Sequence, residues 1–283
     1  MTRKAVLLIH GGAGLKAAPE RLARVHRALR RVGRESYAAL RERGALEAVV
    51  AAVSRLEDNP LFNAGTGSML QQDGCARMSA SVMDGATRRF ASVLNIERVR
   101  HPIAVAAALL EEPDRVLAGE PAMRFARSIG CADWNPVTPE RLAQWRTRRR
   151  GAHGTVGAVA LDAEGHLAAA TSTGGKGFER PGRVSDSGMP VANYADDAAA
   201  VACTGIGEDV MDEGLALRIA QRIDEGASTS SAMTEAFRGM RRRARRVGAI
   251  ALNRCGQWAW ATTLPVLWAA ACGPRDVVFW RAR

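Results

Sequence analysis

Two runs of small residues, Thr155-Val-Gly-Ala-Val-Ala-Leu161 and Leu167-Ala-Ala-Ala-Thr-Ser-Thr173, meet at the turn Asp162-Ala-Glu-Gly165. Strand-length runs joined by a short Asp/Gly turn read as a β-hairpin. The pattern returns at Val247-Gly-Ala-Ile-Ala-Leu252, Asn253-Arg-Cys-Gly256 and Trp258-Ala-Trp-Ala-Thr-Thr263. Aligned from Val156 and Val247, nine of eighteen positions are identical. Two isolated copies do not make a solenoid. They predict two similar hairpins in a β-rich core.

Working outward, residues 5–9 form an apolar run that reads as a buried strand, ended by a tight turn at Gly11-Gly12-Ala13-Gly14. Residues 19–56 are helix-rich, with Leu22, Val25, Leu29 and Val32 at three- and four-residue spacing and arginines on the other face; a second helix follows Gly44. Asn59-Pro-Leu-Phe-Asn-Ala-Gly-Thr-Gly67 is a loop. Strand-like segments at 77–82 and 90–94 flank the turn Met83-Asp84-Gly85-Ala86, and 102–110 and 115–129 read as helices. Residues 131–154 are polar and basic with helix breakers at both ends, which predicts an exposed connector. Residues 207–223 read as one helix with Glu208 and Asp209 at its start. Regular βαβ alternation is missing, so a doubly wound parallel sheet is disfavoured. Mostly antiparallel sheets, packed on each other and covered by helices in a single α+β domain over 1–283, fit better.

Composition excludes more than it selects. Of 283 residues 47% are hydrophobic and 24% charged, which rules out a disordered tail, a collagen-like repeat and a coiled coil. Lys plus Arg number 40 against 29 for Asp plus Glu, a formal charge of +11. Such a balance suits a nucleic-acid partner, but the excess is almost all Arg, with only Lys4, Lys16 and Lys176, so compositional bias is the better reading and nucleic acid is not expected. The run Arg241-Arg-Arg-Ala-Arg-Arg246 reads as a basic helix face before a strand. Five widely spaced cysteines without Cys-x-x-Cys predict neither a disulfide framework nor a zinc site. The apolar run at 5–9 is too short for a signal peptide, and no run approaches the roughly 20 residues that cross a bilayer. A cytoplasmic protein without membrane partners is expected.

Common catalytic signatures are absent. His10-Gly-Gly-Ala-Gly is neither a Walker loop nor a dinucleotide fingerprint, and there is no His-Glu-x-x-His, Gly-x-Ser-x-Gly or EF-hand. What stands out is hydroxyl and glycine residues at strand ends. Gly154-Thr155 opens a strand, Thr171-Ser-Thr173-Gly-Gly closes its partner, and Gly182-Arg183-Val-Ser-Asp186-Ser places a cation near a carboxylate. Thr204-Gly-Ile-Gly-Glu208 is a strand-to-helix turn with backbone N–H groups free to hold an oxyanion. Taken one by one these are ordinary strand and turn residues; together they are the parts for hydrolysing an amide of an amino-acid-like substrate.

Those four motifs, with Ile9-His-Gly-Gly-Ala-Gly, Asn59-Pro-Leu-Phe-Asn-Ala-Gly and Ser81-Val-Met-Asp-Gly in the same order, resemble the plant-type (type III) L-asparaginase/isoaspartyl peptidase family from residue 9 to about 225. The resemblance implies an N-terminal-nucleophile hydrolase with a four-layer αββα sandwich. It implies self-cleavage between Gly154 and Thr155 into an α chain 1–154 and a β chain 155–283. Thr155 would then attack the side-chain amide of a β-aspartyl dipeptide or L-asparagine, its own α-amine acting as base, because a free α-amino group has a pKa of about 7.7–8.0. By the same likeness, Thr173 supports the nucleophile, Arg183 grips the substrate α-carboxylate and Asp186 holds its α-ammonium. Thr204 and Gly205 form the oxyanion hole, Gly207 lines the pocket, and Asn63 orients groups near the nucleophile. No cofactor is implied for catalysis. A structural sodium ion is implied on main-chain carbonyls of Leu56, Glu57, Asn59, Phe62, Ala64 and Thr66, and a homodimer of αβ units is implied as the assembly.

Three stretches depart from the family pattern. Met78-Ser79-Ala80-Ser81 lacks a carboxylate where Met-Asp-Ala-Ser is common, Gly188-Met-Pro-Val-Ala-Asn-Tyr194 replaces a Gly-rich run, and Thr262-Thr-Leu-Pro-Val-Leu-Trp268 replaces a Phe-Asn ending. They leave two other readings open: a glycosylasparaginase-like amidase, or a basic binding protein without activity.

Overall fold

The computed structural model describes residues 5–14, 18–148 and 154–273 and the backbone of 277–280. Lys4, Lys16 and residues 149–153 of the basic connector lie outside the described residues. Both expected hairpins form. β5 (Val156–Leu161) pairs with β6 (Leu167–Thr173), and β9 (Val247–Asn253) with β10 (Trp258–Thr262). They lie in different sheets. The first is at the centre of an eight-stranded sheet with β1 (Val6–Gly14), β2 (Met78–Asp84), β3 (Arg89–Ile96), β4 (Val116–Ala118), β11 (Val266–Cys272) and β12 (Val277–Trp280), in the order β12-β11-β1-β5-β6-β2-β3-β4. The second joins β7 (Asn193–Ala195) and β8 (Ala199–Gly205) in a four-stranded sheet, β10-β9-β8-β7.

Side-chain alternation explains the layering, because successive residues of a strand face opposite sides. In β1 Leu7 and Ile9 face the helices α1 (Pro19–Arg43) and α2 (Ala45–Glu57), while Leu8 faces the second sheet. In β5 Val156, Ala158 and Ala160 take the helix side, and Val159 and Leu161 the sheet side. The small sheet mirrors this. Val247, Ala249 and Ala251 of β9 pack under α7 (Leu215–Asp224) and α8 (Thr229–Arg242), and Ile250 and Leu252 face the large sheet. The result is four layers, helix-sheet-sheet-helix, with the central strands of both sheets buried on both faces and three apolar cores in all. This is the expected αββα sandwich.

Local expectations need several corrections. β1 does not end at Ile9: it runs through the glycines to Gly14 with a bulge between His10 and Ala13, since the backbone continues its pairing with β11 there. Residues 115–129 are not all helix. After α3 (Pro102–Ala108), Val116–Ala118 add a parallel edge strand to β3 before α4 (Gly119–Ser128) begins. The expected helix at 207–223 breaks at Gly214 in the left-handed conformation, giving α6 (Gly207–Glu213) and α7. The connector is not simply exposed. It contains α5 (Pro139–Arg146), capped by Thr138, and its buried Arg141 donates to the Gly67 carbonyl at 2.6 Å. β11 had no distinct sequence signal because Pro265 and the small residues Ala269, Ala270 and Ala271 mask its alternation.

Candidate active site

Thr155 stands at the entry to β5, 5% exposed, in the uncut chain. The antiparallel register that sets Val156 opposite Ser172 brings Thr173, the last residue of β6, across from it. On the other side of the preceding peptide bond, Gly154 lies against the glycine segment of β1: a Cβ on Gly12 would come within 2.6 Å of the Gly154 Cα. The expected nucleophile, its threonine neighbour and the expected cleavage point therefore share one place.

The Thr155 hydroxyl sits 3.1 Å from the Ser187 hydroxyl. Ser187 belongs to the 3-10 turn Asp186–Gly188, opened by Ser185, whose side chain donates to Asp186 Oδ1 at 2.9 Å. The other carboxylate oxygen, Asp186 Oδ2, is buried with no hydrogen-bond partner among the described residues. Burial pushes the Asp186 carboxyl above the usual carboxylate range, opposed by the Ser185 hydrogen bond and the charge of Arg183. Such an orphaned acceptor is costly unless a cation or donor reaches it. Thr204, fully buried at the end of β8, also carries an unpartnered hydroxyl.

Gly207 is where these groups converge. A Cβ there would come within 2.6 Å of Asp186 Oδ1 and 2.7 Å of Arg183 Nη2, so only glycine lets α6 start between the carboxylate and the guanidinium. At Gly205 a φ of 128° and the Arg246 carbonyl leave no space for a side chain. Arg183 does not pair with Asp186. Its Nε and Nη2 donate to Glu208 at 3.1 and 3.0 Å, and Lys176 Nζ donates to the same carboxylate at 2.9 Å. These two cations, outweighing partial burial, hold the Glu208 carboxyl down at about 2. The guanidinium is thus aimed by a carboxylate that the sequence suggested only as a helix-start residue.

Asn63 reaches the segment that follows Thr173. Its amide does not hydrogen-bond to Thr155; Nδ2 donates to the Gly175 carbonyl at 2.6 Å and Oδ1 accepts from Met69 N at 2.9 Å, so it secures the turn that follows Thr173. The loop from Leu56 to Thr66 is a closed main-chain structure. Asn59 N donates to the Leu56 carbonyl, Thr66 N to that of Glu57 and Phe62 N to that of Asn59. The Glu57 side chain turns away from it. Wholly buried, it accepts from the Ser172 hydroxyl at 2.6 Å and Ile103 N at 3.2 Å, and burial raises its pKa to about 8. The carbonyl-rich donor set of Leu56, Glu57, Asn59, Phe62, Ala64 and Thr66 is all hard oxygen, and so fits a hard cation.

Residues that sequence reasoning missed are Ser187, Glu208 and His10. His10 is wholly buried, its ring stacked where a Cβ on Gly157 would stand, and neither ring nitrogen makes a hydrogen bond of normal geometry among the described residues. Burial, only partly opposed by the nearby Thr155 main chain, lowers its pKa to about 3. Ser187 and His10 both lie inside the family-like motifs Gly182-Arg-Val-Ser-Asp-Ser187 and Ile9-His-Gly-Gly-Ala-Gly14, but no rule of spacing distinguishes them from their neighbours. Among the described residues no group of three or more His, Cys, Asp or Glu could hold a metal, no helix is long and apolar enough to cross a membrane, and no cysteine forms a disulfide.

Residues 3–277 match the model of a family described as Asparaginase. The chain is 45% identical to a protein of Nostoc sp. named isoaspartyl peptidase/L-asparaginase, covering 93% of this chain and 90% of the relative. It is 37% identical to a plant-type L-asparaginase of Thermococcus kodakarensis over 82% of this chain and 84% of the relative. It is 35% identical to an isoaspartyl peptidase/L-asparaginase of Bos taurus over 94% and 92%. A family match across nearly the whole length, and similarity that extends from cyanobacterial to mammalian relatives, establish that the chain belongs to the asparaginase family.

Proposed function

We propose that the protein is a self-processing threonine amidohydrolase that releases L-aspartate from β-aspartyl dipeptides and L-asparagine. The observation that carries this reading is the pair of buried, unpartnered acceptor and hydroxyl groups, Asp186 Oδ2 and Thr204 Oγ1, in a site that also holds Arg183 and the Thr155 nucleophile. An α-amino acid head group matches it: ammonium to Asp186 and carboxylate to Arg183, a planar two-pronged donor. The names of the Nostoc and Bos taurus relatives support the same substrates.

The mechanism follows from the residues. Cleavage of the Gly154–Thr155 bond gives Thr155 a free α-amine, which takes the proton from its own Oγ1 as Oγ1 attacks the side-chain amide carbon. The C–O bond forms as the carbonyl becomes an oxyanion, received by the Thr204 hydroxyl and the Gly205 N–H. Collapse expels the amine or ammonia with the proton from Thr155 and leaves an aspartyl ester on Oγ1. Water, activated by the same amine, then hydrolyses the ester. Thr173 and Ser187 flank the nucleophile, Gly207 gives the pocket its open wall, and Asn63 steadies the turn behind Thr173. The loop carbonyls of Leu56, Glu57, Asn59, Phe62, Ala64 and Thr66 would hold a sodium ion that stiffens the support of Ser172, one residue from Thr173. Cysteines that form no disulfide among the described residues support a reducing, cytoplasmic location, and the family likeness supports a dimer of αβ units.

Intact mass under denaturing conditions, followed over hours beside Thr155→Ala, tests the reading together with an aspartate-release assay. Fragments of 1–154 and 155–283 and aspartate release from wild type alone are expected. A Thr155→Ala protein that hydrolyses at the wild-type rate would overturn it.

A further inference from the structure

Between the sheets, beneath the turn that carries Ser187, lies a buried polar knot. Ser81 on β2 and Thr171 on β6 are cross-strand partners, so their hydroxyls stand side by side on the face toward the small sheet. Both donate to one acceptor, the Ser187 main-chain carbonyl, at 2.6 and 3.0 Å. Each hydroxyl has a single proton, so each then needs a donor for its own oxygen. Asn193, fully buried on β7 of the opposite sheet, supplies both: its Nδ2 lies 2.6 Å from Ser81 Oγ and 2.7 Å from Thr171 Oγ1. One amide group, two hydroxyls and one carbonyl close a ring that spans the two sheets. On the far side of the same residue, the Ser187 hydroxyl meets Thr155 Oγ1 at 3.1 Å.

We infer that Asn193 is a positioning residue for the nucleophile, acting through Ser81 and Thr171 to hold Ser187 and, through Ser187, the Thr155 hydroxyl. Asn193 lies in the stretch Gly188-Met-Pro-Val-Ala-Asn-Tyr194, which leads from the Ser187 turn into β7. Its chemistry also fixes which group is tolerated. Asp has the same shape, but a carboxylate only accepts. It would draw the Ser81 and Thr171 protons to itself and release the Ser187 carbonyl.

The inference rests on the proposed amidohydrolase activity, and the test separates the two. Aspartate release is measured for wild type, Asn193→Asp, Ser187→Ala and the double variant, with kcat expressed per self-cleaved chain. Asn193→Asp is expected to lower kcat about tenfold, the scale of a displaced reacting group, with KM within about threefold because Arg183 and the Ser185-braced Asp186 remain. Added to Ser187→Ala, it should cost less than about twofold more, since its effect passes through Ser187. Should Asn193→Asp fail to fold, Thr171→Val and Thr171→Ser make the same test: the first loses kcat and the second restores it. Full kcat in Asn193→Asp, or effects of Asn193→Asp and Ser187→Ala that multiply independently, overturn the inference while leaving the amidohydrolase reading standing. A wild type that is inert toward every β-aspartyl amide overturns both.

Discussion

The two hairpins share half of their aligned residues and much of their turn chemistry, yet only one borders the candidate site. In both turns a side-chain oxygen caps the reversal: Asp162 Oδ1 accepts from Gly165 N and His166 N, and Asn253 Oδ1 from Cys255 N and Gln257 N. Gly165 and Gly256 both adopt positive φ. The difference is in what lies beside them. β5 and β6 have strands on both outer sides, β1 and β2, whereas β10 is a sheet edge. Leu167 is therefore buried where its counterpart Trp258 is 39% exposed. Equivalent threonines diverge in the same way. Thr171 reaches out to the Ser187 carbonyl, while Thr262 donates within its own hairpin, to the Val247 carbonyl. A hairpin is a local solution to local chemistry; a site needs neighbours on every side.

Substitutions at matched positions sharpen that contrast. The largest expected effect is at the residue before each hairpin. Thr155→Ala should abolish both chain cleavage and aspartate release, whereas Arg246→Ala, at an exposed position, should leave hydrolysis within about twofold and stability within about 0.5 kcal/mol. Mass spectrometry and a product assay read both. The glycine at the second position of each hairpin comes next. A Cβ on Gly157 collides with the buried His10 ring, but one on Gly248 meets only methyl and methylene-sized contacts at 3.3–3.4 Å. Gly157→Ala should cost about 3 kcal/mol and Gly248→Ala about 1 kcal/mol in urea unfolding, and equal costs would break the comparison.

His10 links that steric difference to pH. Its pKa falls from 6.5 to about 3 in the fold, so the unfolded chain takes up a proton that the native state refuses. The stability it confers is complete above about pH 6.5 and is lost as pH falls toward 3. Between about pH 7 and about pH 5 the wild type should lose roughly 2 kcal/mol more than His10→Gln does. Parallel stability curves for the two proteins would contradict the neutral, desolvated ring. The smallest contrast is in the turns. Asp162 also accepts from Ala45 N at the start of α2, a tie that Asn253 lacks among its own hydrogen bonds. Asp162→Ala should therefore cost about 2 kcal/mol against about 1 kcal/mol for Asn253→Ala.

Much of the fold was legible because it is written in local periodicity. The hairpins, the long amphipathic α1, the break at Gly44 and the strands beside Met83-Asp84-Gly85-Ala86 all follow from spacing and turn residues. Errors fell where partners override local preference: the strand at Val116–Ala118 exists because β3 offers it an edge, and the glycine segment of β1 stays extended because β11 continues beside it. In the candidate site, the motifs at strand ends already offered Thr155, Thr173, Arg183, Asp186 and Thr204. Glu208 as the brace of Arg183, and the Gly175 carbonyl as the group that Asn63 holds, could not be read from them.

By itself, then, the sequence determined the hairpins, the helices' buried stripes and the set of hydroxyl, carboxylate and guanidinium groups at the strand ends. Only the tertiary structure decided which hairpin is enclosed, which carboxylate aims Arg183, and that Asn193 closes a ring with Ser81 and Thr171. The physical reason is range. Alternation, turn conformation and helix spacing are settled by residues within a few positions of each other, whereas a hydrogen bond between Asn193 and Ser81 joins residues 112 positions apart. Such a bond exists only once two sheets have packed face to face and removed the water that would otherwise satisfy both groups.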